Sequence, residues 1–349
     1  MEFPKISVVM SVYNGGKYLR ESIESILSQT MVDFEFIIIN DGSTDNTEEI
    51  ILGYNDHRIV YVKNEINLKL IESLNKGLSL SRGKYIARMD DDDISLPHRF
   101  KIQFDYMENN PEIAVTSTGF IVFDEHRSRI MAPEINPEEV KVELLFSNPV
   151  RHSAVMIRND LLKKNKIKYE LDYPHSEDYH LWTQIAPLAK IAILPSIAMK
   201  CRSHPQSIRE KYADEMVNSG NKAKAFLLKK FIPEINENDL QTHYKIFLDF
   251  PATDIQEQVG KLFLFWIEKN RENHFFSSSI LTDKLKKVFF YTCNSQLRPS
   301  FKSMVSYLSS PLADFRVSAW PFLLRFCIKS IFAINRNPSI IPTKEKWFN

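Results

Sequence analysis

Four consecutive aspartates, Asp90-Asp91-Asp92-Asp93, follow the short apolar run from Tyr85 to Met89. Carboxylates held a few ångströms apart raise one another's pKa unless a cation intervenes, and a hard divalent ion carrying diphosphate oxygens meets that need. Such an ion takes one or two protein carboxylates and completes its shell with water and phosphate. Asp90 and Asp92 are therefore expected to face a nucleotide and a metal, with Asp91 among the nucleotide contacts and Asp93 structural. The plainer alternative is an acidic loop in which Asp93 or Ser95 caps a helix starting near Pro97. A second acidic stretch begins at Ser176, an N-cap type of residue, which puts Glu177 and Asp178 in the first turn of a helix. Two acids there suit the positive end of the helix dipole. Asp178 also shares helical spacing with Leu181, Trp182 and Ile185, so it aims along the buried face, and a carboxylate aimed at a cleft is a candidate general base.

Three weaker clusters accompany these. Tyr13-Asn14-Gly15-Gly16 offers backbone N–H groups near a helix N-terminus, suited to a diphosphate or a base carbonyl. Asn40-Asp41-Gly42-Ser43 offers Asp41 as acceptor for a pyrimidine N–H, although the same tetrapeptide is an ordinary turn. Cys201-Arg202-Ser203-His204-Pro205-Gln206-Ser207 reads as a loop in which His204 would complete a metal shell or touch a diphosphate and Arg202 would balance phosphate charge. His152 alternates with Ala154 and Met156 as on one face of a strand, a pattern more typical of a core histidine than of a ligand.

The elements needed to position these groups are legible in the hydrophobic pattern. Apolar runs at 6–10, 34–39, 59–62 and 85–89 alternate with helical spacings at Leu19, Ile23, Ile26 and Leu27 and at Leu70, Ile71, Leu74 and Leu78. Asp45 and Glu48 read as a capping pair for the helix between the second and third strands. Strands alternating with helices imply a mostly parallel central sheet covered on both faces, with ligands beyond the strands' carboxyl ends, where the polar clusters fall. After the aspartates a helix from Pro97 and strands at 113–115, 120–123 and 150–157 suggest α+β character. From about residue 212 helical signals dominate. The expected organisation is a nucleotide-binding half over 1–110, an acceptor-binding half over 111–215 and a helical C-terminal region over 216–349.

With 45 basic and 44 acidic residues among 349, the chain has no global field that would recruit nucleic acid. Three cysteines without metal-ligand spacing suggest a reducing compartment, and the N-terminus lacks the pattern of a secretory leader, which together point to the cytoplasm.

The segments 8–14, 38–45, 84–93, 177–182 and 202–204, in that order, resemble the family 2 glycosyltransferases of glycosyltransferase-A fold, of the bacterial polysaccharide and lipopolysaccharide type. The resemblance covers roughly residues 5–208. It implies an α/β, Rossmann-like fold and an inverting, metal-dependent transfer from a nucleotide-sugar, often a UDP-sugar, to a hydroxyl of a glycan or lipid-linked saccharide. Carried over by position, Tyr13, Asn14 and Asp41 would hold the base and ribose, Asp90 the ribose or metal, and Asp92 the Mn2+ or Mg2+. Asp178 would be the base, Glu177 would position the acceptor or that base, and Arg202 and His204 would meet the diphosphate side. Ser11, Leu68-Lys69 and Cys201 depart from common family residues without removing a reacting group. A sugar-nucleotide pyrophosphorylase, an aspartyl phosphatase and a non-catalytic sugar-binding protein are the alternatives. The first lacks its basic glycine-rich loop here, the second would need its Asp-x-Asp after the first strand, and the third has no use for both Asp92 and Asp178.

Residues 311–349 hold six basic and two acidic side chains, with Trp320, Phe322, Phe326, Phe332 and Trp347. The apolar stretch from Val317 to Phe332 carries Arg325 and Lys329, and is too short and too charged to span a bilayer. Two roles suit it: a peripheral anchor on the inner face of the cell membrane, or a helix covering the catalytic domain.

Overall fold

A computed structural model of the chain describes residues 3–204, 212–246, 254–294 and 301–331. Pro205, Gln206, Ser207, Phe332 and Trp347, singled out above, lie outside these residues. The chain divides into two units, Met1–Leu227 and Leu228–Asn349.

The first unit is built on β1 (Ile6–Val12) and β2 (Phe34–Asn40), each buried along its whole length, which explains why neither alternates in sequence. With β3 (Ile59–Lys63) and β4 (Tyr85–Met89) they form four parallel strands in the order β3-β2-β1-β4. Ile6 lies opposite both Phe34 and Tyr85, so β1, β2 and β4 start level and end at one rim. Helices α1 (Leu19–Leu27), α2 (Thr47–Leu52) and α3 (Leu70–Leu80) make the crossovers. The chain runs outward from β1 through β2 to β3 and returns to place β4 on the other side of β1. That reversal makes the crevice between the carboxyl ends of β1 and β4 the natural ligand site of an open α/β sheet.

Beyond β4 the sheet becomes mixed. After β5 (Ile94–Ser95) and α4 (Arg99–Asn109) come β6 (Ile113–Phe123), β7 (Ser128–Met131), α5 (Pro137–Glu143), β8 (Met156–Arg158), α6 (Asn159–Asn165), α7 (Glu177–Ile185) and β9 (Lys190–Arg202). β8 is antiparallel to β4 and β6, β6 is parallel to β9, and β5 is antiparallel to β9.

Several local expectations are corrected. The strands read at 113–115 and 120–123 are one element. The strand read at 150–157 is largely a loop and a 3-10 turn, His152–Ala154, before the short β8. Helix α4 starts at Arg99, and neither Asp93 nor Ser95 caps it; Gln29 Oε1 instead accepts the Phe100 N–H at 3.1 Å. Asp45 accepts the Thr47 N–H at 3.0 Å, but Glu48 turns away to Tyr61 and Lys63, so no reciprocal capping pair forms. The largest correction is β9, because Cys201 and Arg202 end a strand of 13 residues and are not loop residues. Pro195 argues against a strand in sequence. It is tolerated because the register against β6 shifts there, with Leu194 opposite Thr118 and Ile197 opposite Gly119, which leaves the proline in a bulge.

The second unit is helical in its described residues, with helices Glu237–Lys245, Asp254–Asn273, Ser278–Asn294, Phe301–Leu308 and Trp320–Ile331. Its core gathers Phe263, Trp266, Phe289, Tyr307 and Phe326, all buried. Among the described residues no helix is long and apolar enough to cross a membrane.

Candidate active site

Three loops meet at the rim above β1, β2 and β4. The Tyr13–Gly16 turn is fastened to the loop after β2: the N–H groups of Asn14, Gly15 and Gly16 donate to Ser43 Oγ, Thr47 Oγ1 and Asp45 Oδ2 at 3.0, 3.0 and 3.1 Å. Asn14 Oδ1 returns the contact by accepting the Thr44 N–H at 2.8 Å. The backbone donors expected to meet a diphosphate are therefore spent inside the protein, which corrects that expectation for the turn. Asn14 adopts φ 54° and Gly42 φ 69°, left-handed conformations that asparagine and glycine tolerate best. Asp41 is buried, and its Oδ1 accepts from Asn64 Nδ2 and the Leu68 N–H, both at 2.8 Å. Tyr13 is exposed on the rim.

The acidic tip of β4 is held from below. Ser22 Oγ on α1 lies 2.8 Å from the Asp91 carbonyl and 2.7 Å from the Asp93 carbonyl, and Ser25 Oγ accepts the Ser95 N–H at 3.0 Å. These contacts gather carboxyl oxygens of Asp90, Asp92 and Asp93 within 4.8 Å of one another. Asp93 is buried and accepts the Arg202 N–H at 2.9 Å, so it ties the tip to β9 in the structural role expected of it. Burial and the neighbouring charges of Asp92 and Asp90 push the Asp91 carboxyl up to about 8. Burial, then Asp90 and Asp92, push Asp93 up to about 6. Asp92 rises for the same reasons, burial first and Asp90 second, against the pull of His204. Adjacent carboxyls that burial and mutual repulsion make reluctant to ionise together are the kind of all-oxygen donor set that suits Mg2+ or Mn2+. Each of the three has a partner in the fold, Asp90 in Arg88, Asp92 in His204 and Asp93 in the end of β9, and Asp93 is the most deeply buried of them.

Asp91 leans over the first turn, where a Cβ on Gly15 would lie 2.3 Å from Asp91 Oδ2 and 2.6 Å from Val12 Cγ2. Gly15→Ala should lower stability by about 1–3 kcal/mol through overpacking. An unchanged melting temperature would mean that Asp91 swings freely out of the way.

Arg202 and His204 reach the tip from the end of β9. Arg202 pairs with Glu21, donates from Nε to the Asp92 carbonyl at 3.0 Å, and lies between the Tyr18 and Phe123 rings at 4.3 and 4.6 Å from their centres. In this arrangement Nε and Nη2 are taken, and a phosphate would meet Nη1 or compete with Glu21. His204 Nε2 is 3.0 Å from Asp92 Oδ2, directed at that carboxylate.

Glu177 and Asp178 open α7 as the spacing indicated, but Ser176 does not cap the helix with its side chain; its hydroxyl donates to the Met216 carbonyl at 3.1 Å. Glu177 is buried and Asp178 half-buried. Asp178 accepts from the Tyr179 N–H at 2.7 Å and from Asn148 Nδ2 at 2.9 Å. Burial, with the Asp178 charge next, pushes Glu177 up to about 7. Burial also raises Asp178, opposed by those two hydrogen bonds. His152 is half-buried by its neighbours, with Nε2 2.8 Å from the Tyr169 hydroxyl and its ring against Trp182. Burial drives its pKa well down, so it is a neutral core histidine.

The sequence pattern of Glycosyl transferase family 2 matches residues 7–165. A glycosyltransferase of Haemophilus influenzae, itself uncharacterized, is 34% identical over 235 residues, covering 63% of this chain and 72% of the relative. The chain belongs to glycosyltransferase family 2. The amylovoran biosynthesis glycosyltransferase AmsE of Erwinia amylovora is 32% identical over 212 residues, or 59% of this chain and 79% of AmsE. In three dimensions this glycosyltransferase resembles S. aureus TarS in complex with UDP-GlcNAc, with a TM-score of 0.56 over 91% of this chain and 92% of that one at 17% identity. It also resembles the mannosyltransferase PcManGT of Pyrobaculum calidifontis in complex with GDP-Man and Mn2+, with a TM-score of 0.51 over 95% and 87% at 12% identity. The fold is glycosyltransferase-A.

Three residues of this glycosyltransferase escaped the sequence reading. Arg88 lies in β4, 3% exposed, paired with Asp90 just beyond the strand's end. Burial weakens a guanidinium's charge, yet Asp90 outweighs it and Arg88 holds its proton more tightly than usual. The signal was available, because an arginine inside an apolar strand buried on both faces needs a counter-charge. Asn148 and Arg151 gave no such signal, being polar residues in a polar connection. Asn148 holds Asp178, and Arg151 Nη2 lies 4.0 Å from Asp93 Oδ2.

Proposed function

We propose that this glycosyltransferase moves a sugar from a UDP-sugar to a hydroxyl of a glycan or lipid-linked saccharide in a single, inverting displacement. The observation that carries the reading is the short connection from Asn148 to Arg151, which touches Asp178 at one end and Asp93 at the other. Three residues of chain span at most about 10 Å, which keeps the base candidate and the acidic tip in one neighbourhood, and the charges of Arg88 and Asp90 are felt at Glu177 beside Asp178. TarS in complex with UDP-GlcNAc supports UDP as the nucleotide, and AmsE supports a polysaccharide as the product class.

In this reading Tyr13, Asn14 and Asp41 line the base and ribose pocket, with Asp41 Oδ2, which has no hydrogen-bond partner among the described residues, as the acceptor for an N–H of the base. Asp90 and Asp92 would hold Mn2+ or Mg2+, which supplies charge neutralisation to the departing nucleoside diphosphate. His204 orients Asp92, and Arg202 joins the diphosphate side. Asp178 accepts the acceptor hydroxyl's proton as its oxygen attacks the anomeric carbon, while Asn148 and the Tyr179 N–H fix the carboxylate and favour its charged form. Glu177 positions the acceptor or Asp178. A cytoplasmic site, with peripheral contact to the membrane's inner face through residues 311–349, completes the reading and fits a lipid-linked acceptor.

The test is a donor screen. UDP-sugars with Mn2+ should release UDP in the presence of acceptor and give a product of inverted anomeric configuration by NMR, whereas release of pyrophosphate or retention of configuration would refute the reading. Separately, UDP at about 100 times its Kd should stabilise the protein by about 2.7 kcal/mol in the presence of Mn2+. In Asp92→Asn the Mn2+-dependent part of that thermal shift should vanish, and its persistence would remove Asp92 from the metal site.

A further inference from the structure

We infer that Asn64, steered by Lys76, is a positioning residue that sets the plane of the Asp41 carboxylate and so makes the nucleotide pocket select uracil over cytosine. The inference rests on the reading of Asp41 as acceptor for an N–H of the base, and goes beyond it by naming what aims that carboxylate. Asn64 directly follows β3 and is buried. Its Nδ2 donates to Asp41 Oδ1 at 2.8 Å and to Ser73 Oγ at 2.9 Å, and its Oδ1 accepts from Lys76 Nζ at 2.6 Å. Ser73 and Lys76 both stand on α3, with Ser73 buried and Lys76 half-buried.

Donor and acceptor chemistry leaves the Asn64 amide one orientation. An ammonium only donates and a carboxylate only accepts, so the amide oxygen must face Lys76 and the amide nitrogen must face Asp41. The Leu68 N–H gives Asp41 Oδ1 a second donor at 2.8 Å, and two donors on one oxygen leave Oδ2 for a ligand. The backing is tight as well: Gly42 has φ 69°, and a Cβ on it would lie 2.8 Å from the Ile66 carbonyl carbon. The Asn64 side chain is not needed to close the end of β3, because its backbone N–H already donates to the Asn40 carbonyl at 2.9 Å. A buried amide with all these bonds made is costly to bring out of water, and its yield is a fixed direction for the groups it touches. Uracil presents N3–H to such an oxygen. Cytosine presents a lone pair at N3, and a carboxylate has no hydrogen to give it. A site built to accept a substrate N–H discriminates strongly against an analogue lacking it, provided that the acceptor is held in the plane of the base.

The test titrates the full chain calorimetrically with UDP and with CDP at the same Mn2+ concentration, so that diphosphate and metal contributions cancel in the ratio of the two Kd values. The parent should prefer UDP by about a hundred-fold, and Asp41→Asn, whose amide can donate to cytosine, should abolish the preference. Asn64→Leu should weaken UDP by about ten-fold and leave CDP unchanged, because cytosine never made the contact that is lost. Lys76→Met should weaken UDP by about three-fold, and Lys76→Arg, again a donor without an acceptor, should restore it. The Lys76 pair carries the test should Asn64→Leu fail to fold. A purely structural role would weaken both nucleotides together, or lower the melting temperature with the ratio unmoved, and either result overturns the inference. A parent without preference, or an Asp41→Asn variant that keeps it, removes Asp41 as reader of the base and the inference with it. A preference that depends on Asp41 but not on Asn64 or Lys76 sinks the inference alone and leaves the reading of Asp41 standing.

Discussion

Asp178→Asn should lower the rate of sugar transfer by about a thousand-fold while leaving donor affinity nearly unchanged, within the range expected for loss of a general base. The substitution is isosteric and keeps an oxygen to accept the Tyr179 N–H, so α7 should not move. Only the ability to take a proton is lost. A second readout separates this from a structural effect. Transfer in the parent enzyme should rise with pH along an acid limb centred above the ordinary carboxylate range, because burial raises Asp178 and the pair it forms with Glu177. The sign follows from the chemistry: below the limb the base is protonated and idle, and above it the base is charged and active. Asn148→Ala removes a donor that favours the charged form, so the limb should move up by about half to one pH unit, corresponding to about one hydrogen bond. Full activity in Asp178→Asn, or a limb indifferent to Asn148, would assign the base elsewhere.

Arg88→Met should destabilise the protein by about 3–5 kcal/mol, the usual penalty for removing one partner of a buried ion pair. The guanidinium is almost wholly enclosed, and it is the cation paired with the strand tip at Asp90. Without it, Asp90 faces Asp92 and Asp93 across distances under 4.8 Å with its counter-charge gone. Denaturant unfolding should show a lower midpoint with an unchanged slope. Arg88→Met combined with Asp90→Asn should recover more than half of the loss, since removing both charges leaves no orphan. A single-variant cost below about 1 kcal/mol, in the range of an exposed pair, would show that water reaches Arg88.

The parts of this protein written in local pattern were legible. The runs at 34–39 and 85–89 are apolar throughout because both faces of those strands are covered, and the spacing of Leu19, Ile23 and Ile26 puts them on one buried side of α1. The acidic tip and the Glu177-Asp178 pair were visible because each occupies a few consecutive positions. Strand β9 was not, because Pro195 is acceptable only where β6 provides a shifted register, and that register belongs to another part of the chain.

Which polar groups are free to act lay further out of reach. The amides of Asn14, Gly15 and Gly16 look available in sequence, and Ser43, Thr47 and Asp45 take them. Arg202 looks like a phosphate ligand, and Glu21, 181 positions away, holds it. Asp178 owes part of its setting to Asn148, and His204 faces Asp92 from 112 positions on. The amino-acid order by itself determined the succession of elements in the first sheet and the inventory of carboxylates, because both depend on the periodic burial of neighbouring residues. The tertiary structure decided how those carboxylates are paired, charged and aimed, because a hydrogen bond or a buried counter-ion is made by whichever residue the fold brings within about 3 Å, however far off it stands in the chain.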